Sequence, residues 1–225
     1  MSTLTFRIRV GAVALAVAGV LFVAYPAARP WHDENTVSGA TSSMSSTAWV
    51  ASHFFAILGF ILLPLGLLAV RTAMASTKAE PTAMLATVLA WIGAGLILPY
   101  YGAEDFGLHA IAGPHGRGAD LLAVVNAVRY QPLAITIFGV GLVLLAIATI
   151  MVGVAVWRSH VLPKASAVLL AVGFALYLPQ FFGPAAVRVG HGVLVGAGLL
   201  VLAVALWRSV GQPVAVRERE VADGR

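Results

Sequence analysis

Five side chains able to ionise or hydrogen-bond crowd the stretch Leu98–His109: Tyr100, Tyr101, Glu104, Asp105 and His109. They follow an apolar run long enough to cross a bilayer, where ionisable groups mark a functional site or a paired structural one. A carboxylic acid kept neutral in a dry apolar site can hand its proton to an alkene or epoxide. A histidine behind it orients the acid and helps restore the proton. Aromatic faces nearby then stabilise the resulting cations, by roughly 0.5–2 kcal/mol each once water is excluded. The chain supplies such parts: Glu104 or Asp105 as acid, His53 and His109 as supports, and Trp31, Tyr100, Tyr101, Phe181 and Phe182 as an aromatic wall. Gln180 and His191 are the polar residues expected beside a substrate from the last hairpin. No aspartate-rich motif for a magnesium-bound diphosphate occurs, so protonation fits these residues better than diphosphate ionisation. Neither a metal nor a cofactor is expected.

Helical spacing sorts the stretch into faces. Tyr100 and Glu104 are four apart, and so are Tyr101, Asp105 and His109. Adjacent residues point about 100° apart, so Glu104 and Asp105 cannot face each other as a carboxylate pair. One is expected to look into the bundle and the other toward the headgroups. Trp91 and Leu98 continue roughly the Glu104 side, which makes Glu104 the leading interior acid. A plainer reading stands beside each assignment. Either acid could bridge Arg188 or Arg117 as a structural pair, His53 could be a polar contact between helices, and His191 could be interfacial. Tyr100, Tyr101, Phe181 and Phe182 could equally form an ordinary aromatic belt.

The elements that must position these residues are membrane helices. The 225-residue chain is 60% hydrophobic and 10% charged, whereas soluble domains are about a quarter charged and about half apolar. Its formal charge of +5 is therefore a matter of loop distribution rather than a nucleic-acid signal. With no cysteine, disulfides, thiolate metal sites and thiol nucleophiles are excluded.

Apolar runs long enough to span occur at about 8–25, 48–70, 83–101, 133–157, 165–182 and 189–207, judged against the ~20 residues a bilayer core requires. Between the third and fourth, Ala119–Tyr130 is a short amphipathic piece cut off by Pro132, and it reads as a helix lying at the interface. The expected fold is all-α: one integral-membrane domain over residues 1–225, with six transmembrane helices, one interfacial helix and a cytoplasmic tail over 208–225. With the N-terminus inside, ten basic residues fall on the inner side. Only Arg29, Arg117, Arg129 and Arg188 fall outside. Both termini are then cytoplasmic, in a multi-pass protein of the cell membrane. The first run also resembles a secretory signal, with small residues near Pro26.

A weak repeat is visible. Leu98-Pro99-Tyr100-Tyr101-Gly102 is echoed by Leu178-Pro179-Gln180-Phe181-Phe182-Gly183, and Val156-Trp157-Arg158-Ser159 by Leu206-Trp207-Arg208-Ser209. Three helical hairpins would follow, with Ala24-Tyr25-Pro26 as a degenerate third copy. Nearly all reactive side chains sort to the outer half, including Trp31, His32, Asp33, Glu34, His115, Asp120 and Asn126. Such a one-sided cluster suggests a pocket open to the outer leaflet, with Trp31 folding back as a lid. The partners it implies are a lipid-soluble small molecule and membrane lipids.

The chain size, the span count and the stretch Tyr100–His109 with His53 and Trp31 resemble the integral-membrane terpene cyclases of microbial meroterpenoid and drimentine-type pathways. The resemblance covers the layout of the whole chain and implies protonation-initiated cyclisation of a prenylated or isoprenoid substrate. Fungal members are drawn with seven spans and two acids on separate helices, where this chain offers six spans and two adjacent acids. Two other classes remain open. His53, His109 and His191 could ligate haem or copper in a redox protein, a group to which quinone binding also belongs. The hairpin repeat also suits a transporter or an accessory membrane subunit.

Overall fold

The computed structural model describes residues 2–113 and 120–210. His115, Arg117 and the charged end of the tail lie outside the described residues. Eight helices follow in order: α1 Thr3–Ala28, α2 Val37–Met44, α3 Thr47–Ala73, α4 Glu80–Ala112, α5 Leu121–Arg129, α6 Pro132–Ser159, α7 Val168–Ala175 and α8 Ala185–Ser209. No strand occurs among the described residues. Helix starts are written locally. Ser2, Ser46 and Asp120 accept backbone N–H bonds at the starts of α1, α3 and α5, and prolines open α4 and α6, where a missing N–H costs nothing. Arg71, Arg158 and Arg208 sit in the last turns of α3, α6 and α8, against the negative ends of the helix dipoles.

Helices α1, α3, α4, α6 and α8 are long and apolar enough to cross a membrane. This is a polytopic helical membrane protein. The run expected at 165–182 is not a full span. It is divided into a 3₁₀ turn at Lys164–Ala167, the short α7, and a second 3₁₀ turn at Pro179–Phe182. Pro163 and Pro179 leave only fifteen residues between them, fewer than the ~20 a crossing needs.

The helices close into a ring. α1 packs on α3, α3 on α4, α4 on α6, α6 on α7, α7 on α8, and α8 returns to α1. Consecutive long segments thus pair as three hairpins, the third with a broken outgoing leg. The first run is integral to the bundle, since Leu15, Ala18 and Phe22 of α1 are buried in the main core. Two crossings depend on paired glycines. A Cβ on Gly93 would lie 2.8 Å from the Gly141 carbonyl oxygen, and one on Gly141 would lie 2.8 Å from that of Gly93. Gly19 of α1 and Gly196 of α8 face each other in the same way, at 3.0 and 2.7 Å. Lipid supplies little drive for helices to associate, so close backbone approach of this kind carries much of the packing.

At one end, α2 and α5 cover the last turns of α4. There Ala40, Met44, Trp49, Leu108, Leu121 and Val125 form a small second core.

Candidate functional site

Near its end α4 widens into a π turn, Ala103–Gly107, before resuming as Leu108–Ala112. Such bulges are frequent at functional sites. The extra residue rotates everything beyond it relative to α-helical register, so the predicted face Tyr101–Asp105–His109 is split. Tyr100, Tyr101 and Glu104 line a cavity. Asp105 and His109 lie off it, on the side that α2 and α5 cover. Both acids are buried, Glu104 at 7% exposure and Asp105 at 0%. The expectation that one would reach the headgroups is corrected by this cover.

Glu104 is not a free acid. Its two carboxylate oxygens accept from Arg129, Oε1 from Nε at 2.6 Å and Oε2 from Nη2 at 2.9 Å. Arg129 also meets Glu34 at 2.8 Å, and Glu34 in turn meets Arg29 at 2.8 Å. A four-membered chain of charges, Arg29–Glu34–Arg129–Glu104, therefore ties the loop after α1 to α5 and to the π turn. The Glu104 carbonyl accepts the Trp49 indole N–H at 2.8 Å, so its main chain is fixed as well. Burial pulls the Arg129 guanidinium down. The hydrogen bonds and charge of Glu104, and then of Glu34, outweigh it and lift the group above its ordinary value. This two-point contact occupies both oxygens of the Glu104 side chain. The leading proton donor of the sequence reading is thus an ion-pair member, and among the described residues its partner is Arg129 rather than Arg188.

Asp105 presents the opposite case. Neither of its carboxylate oxygens has a hydrogen-bond partner among the described residues. His109 lies one turn on, but its Nδ1 donates to the Met44 carbonyl at 2.7 Å and fastens α4 to α2.

The cavity has a volume of about 740 Å³, within the roughly 300–1,000 Å³ of small-molecule sites. Tyr25, Tyr100, Tyr101, Phe138, Phe181 and Phe182 supply much of its wall, so the two sequence echoes at Pro99 and Pro179 converge on one space. Tyr100 stacks on Phe138 at 4.3 Å between centroids, and Phe138 meets Phe181 edge-on at 5.7 Å. Trp31 folds back as expected. Its indole donates to the Pro26 carbonyl at 3.0 Å, and its ring lies between Arg29 at 4.6 Å and Arg188 at 4.9 Å.

His53 also lines the cavity. Its Nδ1 donates to the Trp49 carbonyl at 2.8 Å, which leaves the lone pair on Nε2. Gln180 and His191 stand apart, on an adjoining void of about 10 Å³, room for about one water. There His191 Nε2 donates to the Gly173 carbonyl at 2.8 Å. Each of the three histidines put forward as haem or copper ligands thus spends one ring nitrogen on a backbone carbonyl. Among the described residues no group of three His, Cys, Asp or Glu is placed to hold a metal.

Three arginines reach the cavity and two are neutralised by carboxylates. Arg188 is the third. It donates to Gln180 Oε1 at 3.3 Å and stacks over Trp31 and Phe181, without a carboxylate partner among the described residues. Asp33, also at the cavity, is turned to solvent and accepts from the Asn35 backbone.

No protein-family model, curated protein or solved structure matches the chain.

Proposed function

We propose that this protein binds an amphipathic, lipid-soluble molecule with an isoprenoid or other unsaturated tail and an anionic head. The tail lies along the aromatic wall, where ring faces suit unsaturated hydrocarbon, and the head lies against Arg188. One observation carries this reading: a cavity lined by aromatic rings also presents a guanidinium that no carboxylate among the described residues answers. Burying an anion there supplies that partner, and charge-assisted bonds to guanidinium are among the stronger polar contacts. Acid-initiated cyclisation of such a molecule keeps its cation-stabilising wall under this proposal. Its proton must come from a group other than Glu104, because Glu104 is committed to Arg129.

The test compares farnesyl phosphate with farnesol on the purified protein. At a hundredfold excess over its dissociation constant, a ligand specific for the folded state adds about 2.7 kcal/mol of stability. Farnesyl phosphate is expected to raise the melting temperature and farnesol to do so much less. Arg188→Gln is expected to bring the two together. Equal shifts with both compounds in the wild type refute the headgroup assignment. Isomeric products of unchanged mass, formed from prenylated compounds, would support the cyclase form of the proposal.

A further inference from the structure

At the end of the bundle opposite the cavity, α6 and α7 diverge around a groove of about 440 Å³. Its walls are apolar: Ile150 and Val154 from α6, Val168 and Val172 from α7. Its depth comes from small residues, and Gly153 is the informative one. A Cβ there would meet nothing within 4 Å. This glycine serves no helix contact; its missing side chain keeps the groove open. At the mouth stand Arg158, Lys164 and Trp157, with the Lys164 ammonium 4.8 Å from the Trp157 ring centre. Neither cation has a carboxylate partner among the described residues, and no acidic residue lines the groove.

The surroundings have the same sign. Arg7, Arg9, Arg71, Lys78 and Arg208 lie at this end, against the single described carboxylate Glu80, which is paired with Arg71 at 2.6 Å. In the tail beyond residue 210, Arg217, Arg219 and Arg225 are matched in number by Glu218, Glu220 and Asp223. An apolar trough in the lipid-facing belt, capped by two unanswered cations and an interfacial tryptophan, has the shape and charge of a phospholipid site.

We infer that the groove between α6 and α7 is a binding site for one anionic phospholipid. An acyl chain lies along Gly153 and Val168, and the phosphate lies between Arg158 and Lys164. The site is separate from the aromatic cavity and does not depend on what that cavity holds.

The experiment reconstitutes the full chain in vesicles of phosphatidylglycerol or of phosphatidylcholine, extracts it gently and counts retained lipid by native mass spectrometry. The wild type is expected to retain one phosphatidylglycerol, preferred over phosphatidylcholine by about 30-fold if both cations contribute. Replacing both, Arg158→Gln with Lys164→Gln, is expected to erase that preference. Gly153→Leu, whose Cβ meets nothing within 4 Å and whose branches enter the trough, is expected to lower retention of both lipids while the melting temperature holds. Arg188→Gln, in the other cavity, is expected to change neither. Equal retention of the two lipids by the wild type overturns the inference. So does a preference that survives loss of both cations, or a dimer that Gly153→Leu converts to monomer, which would make a second copy the occupant.

Discussion

Replacing Glu104 by glutamine separates a structural carboxylate from a proton-donating acid. A carboxyl carried neutral in the folded protein is almost isosteric with the amide, so Glu104→Gln would then leave stability unchanged. The structure gives a different expectation. Glu104 receives two charge-assisted bonds at 2.6 and 2.9 Å from a guanidinium whose side chain is only 18% exposed. Breaking a fully buried pair costs about 3–5 kcal/mol. Here Arg129 keeps Glu34 at 2.8 Å, and the amide oxygen still accepts one bond, so a loss of about 2 kcal/mol is expected. For a chain of this length that corresponds to a drop of about 4–8 °C in melting temperature.

A double-mutant cycle with Arg129→Gln isolates the pair. Residues this close should couple by about 1.5–2 kcal/mol, so the double variant should melt well above the sum of the single losses. The assay is thermal unfolding of purified protein in one detergent, followed by circular dichroism. Wild-type melting of Glu104→Gln, or simple addition of the two single losses, would refute the ion-pair argument and return Glu104 to the role of acid.

Asp105→Asn should be tolerated, because neither carboxylate oxygen accepts a bond from the described residues. Its melting temperature should equal or exceed that of the wild type, and a loss above about 1 kcal/mol would reveal an unseen partner. Gly141→Val should weaken the α4–α6 crossing by about 1–3 kcal/mol, since even one Cβ meets the Gly93 carbonyl at 2.8 Å. Wild-type stability of that variant would show the two helices free to separate. Arg188→Gln should cost about 1–2 kcal/mol of stability without ligand, because the residue loses one bond of 3.3 Å to Gln180 and its stacking on Trp31 and Phe181. It should nonetheless abolish the advantage of phosphate over alcohol in ligand-induced melting shifts.

The long helices were legible in the sequence because burial in lipid leaves little freedom: length, apolarity and proline position decide them. The leg at 165–182 has the composition of a span, but Pro163 and Pro179 stand too close together for a full crossing. The convergence of Tyr100, Tyr101, Phe181, Phe182, Trp31 and His53 on one cavity followed from the hairpin echo and the sidedness of polar residues. The state of the acids could not be read in this way. It depends on a π turn, which no residue pattern announces, and on Arg129, which α5 swings over the end of α4. The signal available was an amphipathic piece ending in a basic residue just before Pro132. Nothing in the sequence ranked Arg129 above Arg188 as a partner, and only the packing of α5 over α4 brings it to Glu104.

The charge chain Arg29–Glu34–Arg129–Glu104 joins three stretches that lie far apart in the gene. No member can be lost without leaving a neighbour exposed to selection, so drift at these four codons should proceed in concert. Lineages that replace Glu104 by a neutral residue should have replaced Arg129 too, whereas Asp105, with no hydrogen-bond partner among the described residues, is left to vary alone.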